Sequence, residues 1–178
     1  ASCTDTSSLP LLPTEESLEM FTQLRKAPRL DLNDGRSWRA RPHTELHATN
    51  DKELMDLKSE DCPRGFWPVF TGESFDIWQC DTDRYYAWAD PKIVIPELQK
   101  TRIRSGNNKR SPFSEFPREI LRKMETLLCQ SARIAFRDVS RATDSRTIRV
   151  TLLPPKIFLT NKAPYFLWPR GDEKDQSF

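Results

Sequence analysis

The sequence predicts an α+β fold, a mixed or mostly antiparallel sheet with a few packed helices, and three features point there. Ala132–Asp138 and Thr147–Leu153 alternate apolar and polar residues with the two-residue period of a strand. Aromatic and β-branched runs recur at Phe66–Phe70, Tyr85–Trp88, Ile157–Thr160 and Tyr165–Trp168. Between them, Pro117–Cys129 carries one helical stripe of Ile120, Leu121, Met124, Leu127 and Leu128, which needs a sheet to pack on.

In chain order, residues 1–12 are expected to be disordered. Thr14 caps a helix running to Lys26, with Glu15 and Glu16 in its first turn and Pro28 as its stop. Asn33-Asp34-Gly35 is a turn, and a short helix is expected from Asn50 to Leu57. Phe66–Phe70 and Ser74–Gln79, joined by Thr71-Gly72-Glu73, have the pattern of a hairpin, and Tyr85, Tyr86 and Trp88 of a third strand. A helix begins at Asp90-Pro91 and is expected to kink or stop at Pro96, leaving residues 100–112 as a basic loop. After the helix of Pro117–Cys129, the two alternating strands pair across Val139–Arg146. Leu153-Pro154-Pro155 then bends the chain, and Asn161-Lys162-Ala163-Pro164 turns it between the last two strands. This divides the chain into an N-terminal helical and irregular segment (1–49), a domain of 50–170 and a polar tail of 171–178.

Composition narrows the function. An apolar fraction of 37% and a charged fraction of 30% put much of the chain at the surface, and 14 prolines against 5 glycines imply stiff, irregular connections. No apolar run is long enough to cross a bilayer and no targeting signal is present, so a cytoplasmic location is expected and a membrane partner is not. The cysteines Cys3, Cys62, Cys80 and Cys129 form no CxxC pair, as expected of reduced thiols. His43 and His47 are four apart, but Pro42 and Thr44 disfavour a helix there and no further ligand completes a metal set.

The net charge of +2 conceals an asymmetry. Residues 1–99 carry 11 Lys/Arg against 18 Asp/Glu, a balance of −7, whereas residues 100–170 carry 16 against 5, a balance of +11. Such a field favours an anionic partner for the second half, nucleic acid above all. If Ile134, Phe136, Ile148, Val150 and Leu152 face the core, then Arg133, Arg137 and Arg149 share one exposed face, beside Arg141 and Arg146 of the linking loop. Lys109 and Arg110 supply further phosphate contacts from the basic loop, and Asn161 and Lys162 are candidates in the late turn. An asparagine in such a turn can equally serve its own backbone, and Arg137 can pair with Asp138.

Three phrases, WPVFTGESFDIW, ARIAFRDVSRATDSRTIRV and LLPPKIFLTNKAPYFLW, resemble the target-recognition region of large bacterial adenine-specific DNA methyltransferases, including the type IIG restriction–modification enzymes in which the methyltransferase is fused to a nuclease. The resemblance spans roughly Glu45 to Asp175. It implies a target-recognition-domain-like fold, duplex DNA as partner, and a catalytic methyltransferase domain of the same chain that uses S-adenosylmethionine. The catalytic signature of that domain, an Asn/Asp-Pro-Pro-aromatic tetrapeptide, is not found here, since Leu153-Pro154-Pro155-Lys156 lacks both the polar first residue and the aromatic last one. Asp172-Glu173-Lys174 likewise fails as a nuclease motif. No catalytic, cofactor or metal residue is therefore expected in this fragment, which is read as a non-catalytic specificity module of a restriction–modification enzyme. An enzyme acting on a phosphorylated small molecule would need a concentrated catalytic set or a glycine-rich cradle. The alternative is a structural module that docks its basic face on a partner domain of the same enzyme.

Overall fold

The structure, a computed structural model, describes residues 14–33, 38–140, 144 and 148–170. The chain divides into two compact units, Ala1–Gly35 and Arg36–Phe178. The first contains helix α1 (Glu15–Leu24), whose Thr14 hydroxyl accepts from the Ser17 amide at 3.1 Å, as the capping pattern requires. Of its apolar residues, Leu18 and Leu24 are exposed.

The described residues of the second unit form an α+β fold with two sheets. The larger is antiparallel, with strand order β1 (Arg39–His43), β7 (Tyr165–Arg170), β4 (Arg133–Phe136) and β5 (Val150–Leu153). The smaller is mixed. Its central strand β2 (Trp67–Phe70) runs antiparallel to β3 (Ala87–Ala89) and parallel to β6 (Phe158–Leu159). Helices α2 (Pro91–Gly106) and α3 (Arg118–Arg122) complete the unit. One core gathers Phe70, Phe75, Phe113, Leu121, Leu153 and Tyr165, and a second gathers Val69, Val94, Leu127, Cys129 and Phe158. No helix among the described residues is long and apolar enough to cross a membrane.

The β4–β5 hairpin forms, with Arg133 opposite Leu153 and Phe136 opposite Val150. Its faces are the reverse of those expected. Arg133, Ala135 and Leu153 are buried, while Ile148 and Leu152 are 70% and 61% exposed. Arg133, Arg137 and Arg149 do share a face, but it is the one turned into the unit. β1 lies within the segment 1–49 that the sequence set apart, yet it pairs with β7 as an edge of the larger sheet.

Three further elements differ from expectation. Ser74–Gln79 is not a strand, because Ser74 and Asp76 engage the backbone groups that a ladder would need. The Ser74 hydroxyl accepts from the Thr71 amide and donates to the Arg84 carbonyl, and the Ile77 amide donates to Asp76 Oδ1. The short helix of 50–57 shrinks to one 3₁₀ turn, Lys52–Leu54, since the Asp56 backbone exchanges two hydrogen bonds with Trp88. Helix α2 passes through Pro96 and continues to Gly106, so half of the expected basic loop is helical. The missing proline amide removes one bond near the N-terminal end, and the rest of the ladder carries the helix on.

The helix expected over 117–129 breaks into α3 and two 3₁₀ turns, Met124–Thr126 and Leu128–Gln130. Buried Arg102 of α2 explains the break. Its guanidinium donates to the carbonyls of Ile120, Lys123 and Thr126, and to Gln99 Oε1, while Gln99 donates to the Leu121 carbonyl at 2.9 Å. A continuous helix would consume these carbonyls itself.

Candidate nucleic-acid interface

The expected site residues separate into three groups. The strand arginines are engaged inside the unit. Arg133 is buried, forms two hydrogen bonds to Glu45 at 2.8 and 3.0 Å, donates to the Ile157 carbonyl, and lies 4.8 Å from the centre of the Tyr165 ring. Arg137 Nε donates to the Gly72 carbonyl at 2.7 Å, and Nη1 lies 4.0 Å from Asp144. Arg149 pairs with Asp76 at 2.8 Å and Asp144 at 3.6 Å. The arginines expected to present charge to DNA therefore spend it on Glu45, Asp76 and Asp144. For Arg133 the exposed position is corrected outright: a side chain 2% exposed cannot reach a phosphate.

Asn161 is also committed. Its Oδ1 accepts from the Ala48 amide at 3.0 Å, so it ties the late turn to the segment after β1. Arg141 and Arg146 lie outside the described residues. Lys109, Arg110 and Lys162 are exposed and form no ion pair among the described residues.

Lys109 and Arg110 do not stand alone. Arg104 at the end of α2 and Arg118, Arg122 and Lys123 at α3 are exposed too, with no ion pair among the described residues. The two helices meet closely: a Cβ on Gly106 would lie 2.5 Å from Leu121 Cδ1, so a larger residue there would require the Leu121 side chain to shift. Beside this contact runs a groove lined by Asn107, Ser114, Arg118 and Arg122, floored by Ile103, Phe116 and Leu121. Arg118 and Arg122 stand one turn apart on the same face of α3. Paired guanidinium forks beside amide and hydroxyl groups are a donor set suited to phosphate oxygens.

The chain holds this corner with a second carboxylate. Glu115, in the 3₁₀ turn Pro112–Glu115, accepts from Arg39 at 2.5 Å and Arg41 at 2.8 Å. Burial opposes its ionisation, but the hydrogen bonds from Arg41 and Arg39 outweigh it and hold the carboxyl below the usual range. β1 thereby fastens the turn leading into α3. The sequence carries a signal for the groove, an Arg-x-x-x-Arg spacing outside the apolar stripe, but it is weaker than the arginine-rich alternation of the strands.

Two other features of the unit are not part of this corner. Trp78 is 97% exposed at φ 66°, in a turn closed by the hydrogen bonds between Asp76 and Gln79. The outward face of the larger sheet is apolar, with Phe136 and Phe166 stacked at 4.9 Å, Trp168 beyond them and Leu152 on the edge strand. Among the described residues no group of three or more His, Cys, Asp or Glu could hold a metal ion. His47 uses Nδ1 to accept from the Thr49 and Asn50 amides. Compared with known proteins, the chain matches no protein-family model and no curated protein sequence.

Proposed function

We propose that this chain is the DNA-binding specificity module of an adenine-specific DNA methyltransferase or type IIG restriction–modification enzyme. In this reading it positions duplex DNA for a methyltransferase domain of the same enzyme, and S-adenosylmethionine is that domain's cofactor. The observation that supports it is the set of cations around the α2–α3 groove, Arg104, Lys109, Arg110, Arg118, Arg122 and Lys123, exposed and without carboxylate partners among the described residues. Contacts from this corner would set register on the backbone, and Lys162 adds a separate exposed cation. Base discrimination falls to other side chains.

The test is fluorescence anisotropy of the 178-residue chain with duplex DNA over a salt series. Affinity should fall with a log–log slope of about −3.6 to −5.4, for roughly four to six neutralised phosphates. Arg118→Ala with Arg122→Ala should weaken binding about tenfold or more at low salt. Absence of binding at low salt, by the chain and by the enzyme that contains it, would overturn the reading.

The outward apolar face of the larger sheet favours a second reading, a docking module of the same enzyme. That version differs from the one expected on charge alone, because the contact surface would be the Phe136, Phe166 and Leu152 face rather than an arginine face.

A further inference from the structure

Between the inner face of β1 and β7 and the packed helices lies a partly enclosed cavity of about 120 Å³. We propose that it is a binding site for a small, uncharged, planar molecule of single-ring size that carries hydrogen-bonding groups. This inference is independent of the DNA-binding reading.

An apolar cavity of about 150 Å³ admits a benzene-sized ring, and this one is of that order. Its walls are mostly apolar, with Phe113, Phe116, Leu127 and Leu128 among them. The aromatic members stand edge to face: the His43 ring lies 4.7 Å from Phe113 at 75° and 5.7 Å from Tyr165 at 83°. Such an arrangement offers ring edges and faces to a flat guest.

The polar groups choose the charge. Burial lowers the His43 pKa to about 4, so the imidazole is neutral at physiological pH, with one nitrogen able to donate and the other to accept. Burial likewise pushes the Tyr165 hydroxyl up, keeping it protonated. No hydrogen bond among the described residues engages the His43 ring or that hydroxyl, so both are available in the wall. Every charged group there is already committed. Glu45 is closed by Arg133, and the terminal nitrogens of Arg102 serve backbone carbonyls, Thr126 and Gln99. An anion finds no free guanidinium nitrogen, since Arg102 Nε is sealed from solvent, and a cation would meet the Arg102 charge. A neutral guest with its own donor and acceptor matches what remains, an apolar box with a few oriented polar groups.

The experiment titrates the 178-residue chain with benzamide, following the His43 ring signals by NMR, with benzoate as the charged isostere. Benzamide should saturate and shift the His43 signals, and benzoate should bind at least tenfold more weakly. Leu128→Trp, which fills the cavity, should abolish binding. Should that variant misfold, His43→Phe keeps the ring and removes both nitrogens, and should weaken benzamide at least tenfold as followed by calorimetry. Failure of benzamide to saturate, equal or tighter binding of benzoate, or undiminished binding by a folded Leu128→Trp or His43→Phe variant would overturn the proposal.

Discussion

Arg133 and Glu45 form a buried two-pronged ion pair, with N–O distances of 2.8 and 3.0 Å and side chains only 2% and 5% exposed. The pair joins the two sheets. Arg133 projects from β4 of the larger sheet and also donates to the Ile157 carbonyl, while Glu45 accepts from the Leu159 amide of β6 in the smaller one. Burial opposes the Arg133 charge, but the Glu45 carboxylate and its hydrogen bonds more than offset that and raise the pKa. Removing one partner strands a charge away from water. Arg133→Met or Glu45→Gln is expected to cost about 3–5 kcal/mol in urea unfolding. Replacing both by apolar residues should recover only part of that, because the Ile157 carbonyl and Leu159 amide lose their partners as well.

Burial in ion pairs separates structure from recognition among the cations. A folded Arg149→Ala variant is expected to lose stability through its ion pairs with Asp76 and Asp144 while leaving the salt slope of DNA binding unchanged. Arg118→Ala, whose side chain is exposed, should do the opposite: a shallower slope by about one unit per lost phosphate contact, with stability within about 0.5 kcal/mol of the parent. Anisotropy over a salt series and urea unfolding on the same samples measure both. An equal loss of slope in the two variants would return the strand face to the DNA interface.

The α+β class, the β4–β5 hairpin and the cap of α1 were legible in the sequence because each rests on local pattern or on pairing between neighbours. Which face of the hairpin points inward was not. Alternation shows that Arg133, Arg137 and Arg149 are cofacial, but their exposure depends on distant partners. Those are Glu45 at a separation of 88 residues and Asp76 at 73 from Arg149. The fragmentation of 117–129 has a similar origin, since the stripe of apolar residues is real but the Arg102 guanidinium, 18 to 24 residues away, takes the carbonyls. For the candidate site, Lys109 and Arg110 were identified from the acid-free stretch around them. Arg118 and Arg122 belong to a groove because α3 packs beside α2, a tertiary contact that no local pattern announces.

His43 makes stability depend on pH. Its folded pKa of about 4 lies below the ordinary value of 6.5, so between these values the unfolded chain binds the extra proton. Its contribution is therefore fully present above pH 6.5 and is lost as pH falls toward 4, by up to about 3 kcal/mol. His43→Phe should flatten the unfolding free energy across that window relative to the parent. Glu115 titrates below the usual carboxylate range, so its own loss belongs to more acidic conditions. Urea unfolding at pH 7, 5.5 and 4.5 on parent and variant isolates the difference.

The thiols report on whether the second core opens. Cys62 and Cys80 are exposed, whereas Cys129 is 1% exposed and packed with Val94, Leu127 and Phe158. Burial pushes the Cys129 thiol up to about 12, with Glu45 adding to the shift, so thiolate is scarce there at neutral pH. In a Cys3→Ser background, an aromatic disulfide reagent at pH 8 is expected to react at once with two thiols and with the third only at the rate of unfolding. Arg133→Met should speed the third reaction, because Arg133 anchors the Ile157 carbonyl next to Lys156, whose amide donates to the Cys129 carbonyl at 2.8 Å. Immediate reaction of all three thiols in the parent would show that Cys129 is reached without breaking the core that Phe158 and Leu127 close over it.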